Sequence, residues 1–293
     1  MRIAPSERGR PSLADRLLGL IRLGHPFPSL LDGLATGALA LVAGGRIEIA
    51  ARLAIAMVAL QVSIGAANDL ADVDRDRAAN LTKPIATGLV PPVVALVTAA
   101  VAMAIGLGLS WTLGPATLVV AAIGTAIGYA YDLWLKPTRW SWLPFALGTS
   151  LVPVYAWVGS TGGIPSGFIV LLPASCLAGT GLALANSLAD LERDRAAGTE
   201  TPATALGRVR TWRAVAVLQA IVGAAAIASL AFVGVGTAVM GGAAVGLGLL
   251  TTGVALARSK SPARRRRGWE TSAVGLAALG LAWALGFSAA GML

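Results

Sequence analysis

The sequence predicts an all-α fold, a polytopic membrane bundle of about nine transmembrane helices. These form one integral-membrane domain over residues 1–293, built as two pseudo-repeated halves. Three observations lead there. The chain is 56% hydrophobic and only 13% charged, against roughly 25% charged residues in a soluble domain. Its apolar residues gather into nine stretches, most of about the twenty residues a spanning helix needs. Finally, a twelve-residue segment occurs twice: residues 68–79 read NDLADVDRDRAA and residues 186–197 read NSLADLERDRAA, nine positions identical at an offset of 118.

The elements follow in order. Residues 1–20 are polar and of mixed charge, lack the apolar core of a signal peptide, and form an N-terminal cytoplasmic segment. The first stretch, 28–45, carries Asp32 inside the apolar run Leu30-Leu31-Asp32-Gly33, and the second, 49–71, runs into the first copy of the repeat. Stretches 92–110 and 115–135 come next, with Gly114-Pro115 punctuating the joint between them. The fourth has Gly124 and Gly128 at a spacing that permits close helix packing. Stretch 140–158 precedes the joint Gly162-Gly163-Ile164-Pro165, and 164–189 runs into the second copy. Stretches 212–233, 236–257 and 269–290 complete the chain. The single Cys176 lies inside a span and reads as a buried thiol, so no disulfide framework is possible.

The net charge of +9 has a direction. With nine spans, 21 of the 23 basic residues fall on the side of the N-terminus, and only Arg46 and Arg52 fall opposite. The positive-inside rule then places the N-terminus in the cytoplasm and the C-terminus outside, in the plasma membrane. Both copies of the acidic repeat land on the cytoplasmic face. Charge deployed this way sets topology, which excludes nucleic acid as the partner.

Carboxylates at a membrane surface are costly unless they bind something, and hard oxygen ligands of this kind suit Mg²⁺. Asp69, Asp72 and Asp76 stand at i, i+3 and i+7, on one face if the helix continues, with Asn68 beside them. Asp190 and Asp194 form the second cluster, with Asn186 one turn earlier and Ser187 in the place of Asp69. Asp74 and Glu192 fall about 200° away around the helix and are expected to face outward and pair with bases. A proline follows each copy at the same offset, Pro84 and Pro202. Two such clusters suggest a metal-bridged site for a polyanion such as a diphosphate, whose departure from a carbon needs its charge neutralised. An apolar cavity would house an isoprenoid tail and keep water from the cation left behind.

Basic groups should complete the cradle: Lys83 after the first cluster, and Arg77 and Arg195 at matched places in the repeats. Tyr131 to Lys136 closes the fourth span. Lys136 reads either as a snorkelling lysine or as a ligand of the substrate, and Tyr131 either as part of an interfacial belt or of the site. Asp132 either pairs with Lys136, four residues on, or joins the metal. Arg264 to Arg267 read as a topology signal that meets anionic lipid. Trp134, Trp140, Trp142, Trp212 and Trp269 read as an interfacial belt. Asp32 is either functional or hydrated near the interface. Arg22 and His25 precede the first span, where either greets an anionic acceptor or is merely juxtamembrane.

Asn68-Asp69-x-x-Asp72-x-x-x-Asp76 followed by Lys83-Pro84-x-x-x-Gly88 resembles the signature of the UbiA superfamily of intramembrane prenyltransferases. Asp190-x-x-x-Asp194 resembles its second aspartate motif, and Tyr131 to Lys136 its Tyr/Lys segment, so the resemblance covers roughly residues 20–290. It implies a UbiA-like helical fold and Mg²⁺ held between the two motifs and a prenyl diphosphate. Metal roles then fall to Asp69, Asp72, Asp76, Asp190 and Asp194, with Asp72 and Asp190 central to catalysis. Asn68 would contact substrate, and the residues read above, Lys83, Arg77, Arg195, Asn186 and Arg22, are expected to join it. Lys136 and Tyr131 would hold the diphosphate and stabilise a carbocation. Two departures stand out. Lys83 replaces the usual arginine before the loop proline, and Ser187 leaves the second cluster one carboxylate poorer.

The resemblance implies Mg²⁺-dependent prenyl transfer to a small-molecule acceptor, most often aromatic, within membrane lipid. Two rival readings are an intramolecular terpene cyclase, disfavoured by only 5 Phe and 3 Tyr, and a transporter with two half-sites. The transporter reading is weakened because both clusters lie at one interface and not at the midplane.

Overall fold

The computed structural model describes residues 12–79 and 82–293. The expected cytoplasmic segment lies mostly outside the described residues, as do Arg2, Arg8 and Arg10. Among the described residues every regular element is helical. Eight helices are long and apolar enough to cross a membrane, and a ninth, shorter apolar helix covers Pro26–Val42. All nine expected stretches therefore become helices, and the chain is an integral membrane protein.

α1 (Leu13–Leu23) opens with a capping box: the Ser12 hydroxyl accepts from the Asp15 amide at 3.1 Å and the Asp15 carboxylate accepts from the Ser12 amide at 2.9 Å. Leu13, Leu17, Leu18 and Ile21 are exposed beside Arg16 and Arg22, the pattern of a helix lying along a membrane surface. The chain then turns at His25, whose φ of 47° is the left-handed conformation, and enters α2 (Pro26–Val42).

The first half comprises α2, α3 (Ile47–Ala71), the short α4 (Val73–Ala78), α5 (Pro92–Trp111) and α6 (Pro115–Ala130). The second repeats it at the same offset, as α7 (Trp142–Thr161), α8 (Phe168–Ala189), α9 (Leu191–Ala196), α11 (Arg208–Val233) and α12 (Thr237–Ala257). The loop after α9 is tightened into α10 (Pro202–Leu206), and α13 (Pro262–Ala289) is added at the end. In each half the helix bearing the acidic repeat packs against its neighbours, α3 on α2 and α5, α8 on α7 and α11; α2 and α7 join the halves.

Small residues set a close crossing between α12 and α13. A Cβ on Gly268 would lie 2.7 Å from the Gly253 carbonyl oxygen, and one on Gly275 would lie 2.6 Å from the Leu250 amide nitrogen. α12 and α13 therefore touch backbone to backbone, which in a bilayer replaces the missing hydrophobic drive with dense van der Waals contact. Of the expected pair in α6, Gly128 meets Ile64 on α3 at 2.5 Å from an added Cβ, while Gly124 has only Leu151, 3.9 Å away.

One expectation for the basic run needs correcting. Arg265 is fully buried, not a lipid-facing charge. Its Nε donates to the Leu188 carbonyl at 2.6 Å, Nη1 donates to the Lys260 carbonyl at 2.9 Å, and Nη2 pairs with Glu192. Arg264, Arg266 and Arg267 remain exposed. In the tryptophan belt, Trp269 instead lines the internal cavity, where its ring meets Phe27 edge-on at 5.8 Å. Cys176 is half-buried and its thiol lies 2.9 Å from the Ser150 hydroxyl.

Candidate active site

The two copies of the repeat fold alike. α3 ends at Asp72 with φ −95° and ψ 0°, and α8 ends at Asp190 with φ −95° and ψ 2°. At each break the aspartate amide donates to the asparagine four residues earlier, to Asn68 at 3.0 Å and to Asn186 at 3.2 Å. Each aspartate is also the N-cap of the short helix beyond, and its carbonyl accepts from the Asp76 amide at 2.8 Å or the Asp194 amide at 2.9 Å. The acidic face survives the kink, because one irregular residue leaves the spacing of four intact. Asp69, Asp72 and Asp76 are all buried. Asp74 faces outward against Arg77 at 3.6 Å, and Glu192 turns to Arg265, as their angular positions require.

Between the motifs stands the end of α6, which widens over Tyr131–Leu135 into a π-helical turn. The Lys136 amide donates to the Tyr131 carbonyl, five residues back, at 2.8 Å. This register stacks Lys136 over Tyr131, its ammonium 6.0 Å from the ring centre, where a regular helix would stack Asp132 under Lys136. The expected Asp132–Lys136 pair consequently does not form. Lys136 binds Asp72, and Asp132 is buried and accepts from the Asn68 amide group at 2.6 Å. Tyr131 packs edge-on against Phe145 at 5.4 Å and lines the cavity together with Lys136 and Asp190. Lys136, bound to Asp72 of the first motif, and Asp190 of the second therefore stand at the same end of one cavity.

The cations divide differently from the expected set. Lys83 bridges Asp69 and Asp76 at 2.9 Å each, tying the loop after α4 back onto the helix end. Burial disfavours its charge, but the two carboxylates outweigh that and lift its pKa above the ordinary lysine value. Asp69 also meets His25 at 3.1 Å, so it is engaged by two bases and does not line the cavity. In the second half Ser187 and Thr201 stand where the first has Asp69 and Lys83, both charges being lost together. There the Ser187 hydroxyl accepts from the Ala203 amide at 3.1 Å, capping α10 instead.

Arg77 and Arg195 are exposed at the outer face of their short helices, and Arg22 is exposed on α1; none of the three lines the cavity. The matched pair that does reach the acids is Arg75, 3.4 Å from Asp72, and Arg193, 2.7 Å from Asp190. The helical wheel explains the difference. A residue three on from the aspartate shares its face, whereas one five on stands about 140° away. Burial raises the Asp194 carboxyl above the usual range and the negative charge of Asp190 adds to it, with Arg193 opposing.

Below this mouth opens a cavity of about 790 Å³. Asn68, Lys83, Tyr131, Lys136, Asn186 and Asp190 stand at its polar end; Ala35, Leu39, Met57, Val152 and Leu281 belong to its apolar body. Its aromatic groups are Tyr131, Phe145, Tyr155, Trp269 and Trp283, more than the low aromatic content suggested.

The donor set fits a hard divalent cation. Asp72 Oδ1, Asp76 Oδ2 and Asp132 Oδ2 are buried and accept no hydrogen bond of regular geometry, although Arg75 lies 3.4 Å from the first and Lys83 2.9 Å from the second. Among the described residues no three acidic or imidazole groups already converge as a closed cage. That matches the way Mg²⁺ binds, through one or two carboxylates plus substrate phosphates.

Fold and site together define an intramembrane helical enzyme with paired carboxylate motifs over a lipophilic cavity. A profile of the UbiA prenyltransferase family matches residues 33–276, and the chain belongs to that family and is a prenyltransferase. A digeranylgeranylglyceryl phosphate synthase from Pyrococcus abyssi is 27% identical over 199 residues, which cover 65% of this chain and 69% of that one. Among solved structures, a UbiA homolog from Aeropyrum pernix K1 superposes with a TM-score of 0.72 at 20% identity, covering 87% of this chain and 96% of that one. A UbiA homolog from Archaeoglobus fulgidus bound to GPP and Mg²⁺ gives 0.67 at 16% identity, covering 90% and 99%.

Proposed function

We propose that this prenyltransferase ionises an allylic prenyl diphosphate at the cytoplasmic face, using Mg²⁺, and passes the prenyl group to a small-molecule acceptor. The observation that carries this reading is the pair of matched helix breaks at Asp72 and Asp190: Lys136, which binds Asp72, and Asp190 itself both stand at the mouth of an apolar cavity. The Archaeoglobus homolog bound to GPP and Mg²⁺ supports it.

Asn68, Asp72, Asp76, Asp190 and Asp194 would hold the metal, with Asn186 beside them. Bound there, Mg²⁺ supplies neutralisation of the diphosphate's charge as the C–O bond breaks. Asp69 serves by fixing Lys83 and His25. Lys83, Lys136 and Arg193 reach the cavity mouth and grip anionic oxygens, since their side chains already lie among carboxylates there. Tyr131 and Phe145 present ring faces and edges to the cation that remains. The apolar body takes the isoprenoid tail and excludes water, so the acceptor and not solvent captures the cation.

The acceptor is read as an aromatic ring undergoing electrophilic substitution. The Pyrococcus relative favours a second reading, a glyceryl phosphate whose hydroxyl is prenylated. The N-terminus faces the cytoplasm and the C-terminus the outside, because basic residues crowd the end of the bundle that carries the site.

The test is product analysis by mass spectrometry on purified protein. Geranyl, farnesyl and geranylgeranyl diphosphates are supplied with and without Mg²⁺, alone and with phenolic or glyceryl phosphate acceptors. Mg²⁺-dependent, acceptor-dependent prenylated product supports the reading. A cyclised hydrocarbon formed without acceptor, or no diphosphate release from any donor, overturns it.

A further inference from the structure

Inside the cavity, below the diphosphate mouth, one ionisable group has no part in the chemistry above. Asp32 on α2 faces the cavity and accepts a hydrogen bond from the Gln61 amide group on α3, which lines the same space. Gln61 lies seven residues before Asn68 on the same helix, two turns and about 10 Å below the acidic motif. The pair is absent from the repeat: at the offset of 118 the second half has Ser150 and Gly179. It is therefore not part of the duplicated diphosphate machinery.

A carboxylate facing hydrocarbon is unfavourable without hydrogen-bond donors. Gln61 provides one. Among the described residues, Asp32 Oδ1 and the Gln61 side-chain oxygen receive no hydrogen bond from the protein. An isoprenoid tail carries no N–H or O–H and cannot satisfy them. What fits is a ligand that brings a donor to this depth.

Resting on the proposed prenyl transfer, we infer that Asp32 and Gln61 form the acceptor-recognition site, binding a hydroxyl group of an alcohol or phenol acceptor through the carboxylate of Asp32. The depth suits it. A hydroxyl held about 10 Å below the diphosphate leaves the width of one ring or short chain between it and the carbon that loses the leaving group. Hydroxyl-bearing acceptors are selected because an analogue lacking the group leaves Asp32 with a single donor in an apolar wall.

The experiment uses the full chain in lipid nanodiscs and two probes of equal size, 4-butylphenol and butylbenzene, with empty nanodiscs subtracting lipid partition. Affinities are measured for the wild type, Asp32→Leu and Asp32→Asn. Mg²⁺-dependent binding of unreactive geranyl S-thiolodiphosphate is measured alongside. The wild type is expected to prefer the phenol at least about tenfold, and Asp32→Leu to lose that preference. Should Asp32→Leu fail to fold, Asp32→Asn, which keeps size and shape, is expected to show the preference reduced by about fivefold. No preference in the wild type, a preference that survives both substitutions, or binding of neither probe overturns the inference. Absence of Mg²⁺-dependent thiolodiphosphate binding in the wild type would instead strike the proposed function.

Discussion

Replacing Arg265 with methionine should loosen the second acidic motif from a distance. The side chain is fully buried, and its Nε holds the carbonyl of Leu188, two residues before Asp190. Its other nitrogens hold the Lys260 carbonyl at 2.9 Å and Glu192. Methionine preserves volume, so little cavity is created, but the two carbonyls lose a charged donor in a dry site. Glu192 is half exposed and can be rehydrated, so its share is small. Leaving the two carbonyls without their donor costs about 1–3 kcal/mol each. Thermal unfolding read by size-exclusion chromatography in detergent should show a lower midpoint, with weaker Mg²⁺-dependent diphosphate binding in the surviving protein. Glu192→Gln should cost about 1 kcal/mol or less. An Arg265→Met variant as stable as wild type, or a Glu192→Gln variant just as damaged, would refute this reasoning.

Other outcomes follow from the same contacts. Arg193→Leu should weaken binding of the prenyl diphosphate about tenfold or more, because its guanidinium meets Asp190. Arg195→Leu, an exposed position, should stay within about twofold of wild type in the same titration. Lys83→Met strips the shared base from buried Asp69 and Asp76 and should lower stability by about 3–5 kcal/mol in a detergent melt; an unchanged melt would show that His25 and solvent suffice. Gly268→Val puts a branched side chain against the Gly253 carbonyl, and the strain of about 1–3 kcal/mol should appear as a lower unfolding midpoint.

Much of this was legible in the sequence because membrane helices announce themselves by composition. All nine apolar stretches became helices, and the two copies of the repeated motif end α3 and α8 in matched breaks. The offset that aligns the motifs also aligns the helices of the two halves. What escaped has identifiable causes. Arg77 and Arg195 have matched places in the repeats yet stand exposed, whereas Arg75 and Arg193, three residues on from each aspartate, contact the acids. The Asp132–Lys136 pairing failed because a π turn is a tertiary accommodation, invisible to a rule that assumes 3.6 residues per turn. Arg265 hid within a run of four arginines, and only the packing of α13 on α8 decides which one faces inward. His25 joins the site through a left-handed turn and a contact 44 residues away in sequence, with Gly65 leaving room for its ring.

The central claim is that both acidic motifs hold one diphosphate together. Its most direct test is Mg²⁺-dependent binding of geranyl S-thiolodiphosphate to wild type, Asp72→Asn, Asp190→Asn and the double variant. A shared site predicts that each single substitution weakens binding about a hundredfold or more and that the double variant loses little beyond either, since the two act as a unit. Losses that add, or a single variant that binds like wild type, would show that the two motifs do not act on the same ligand.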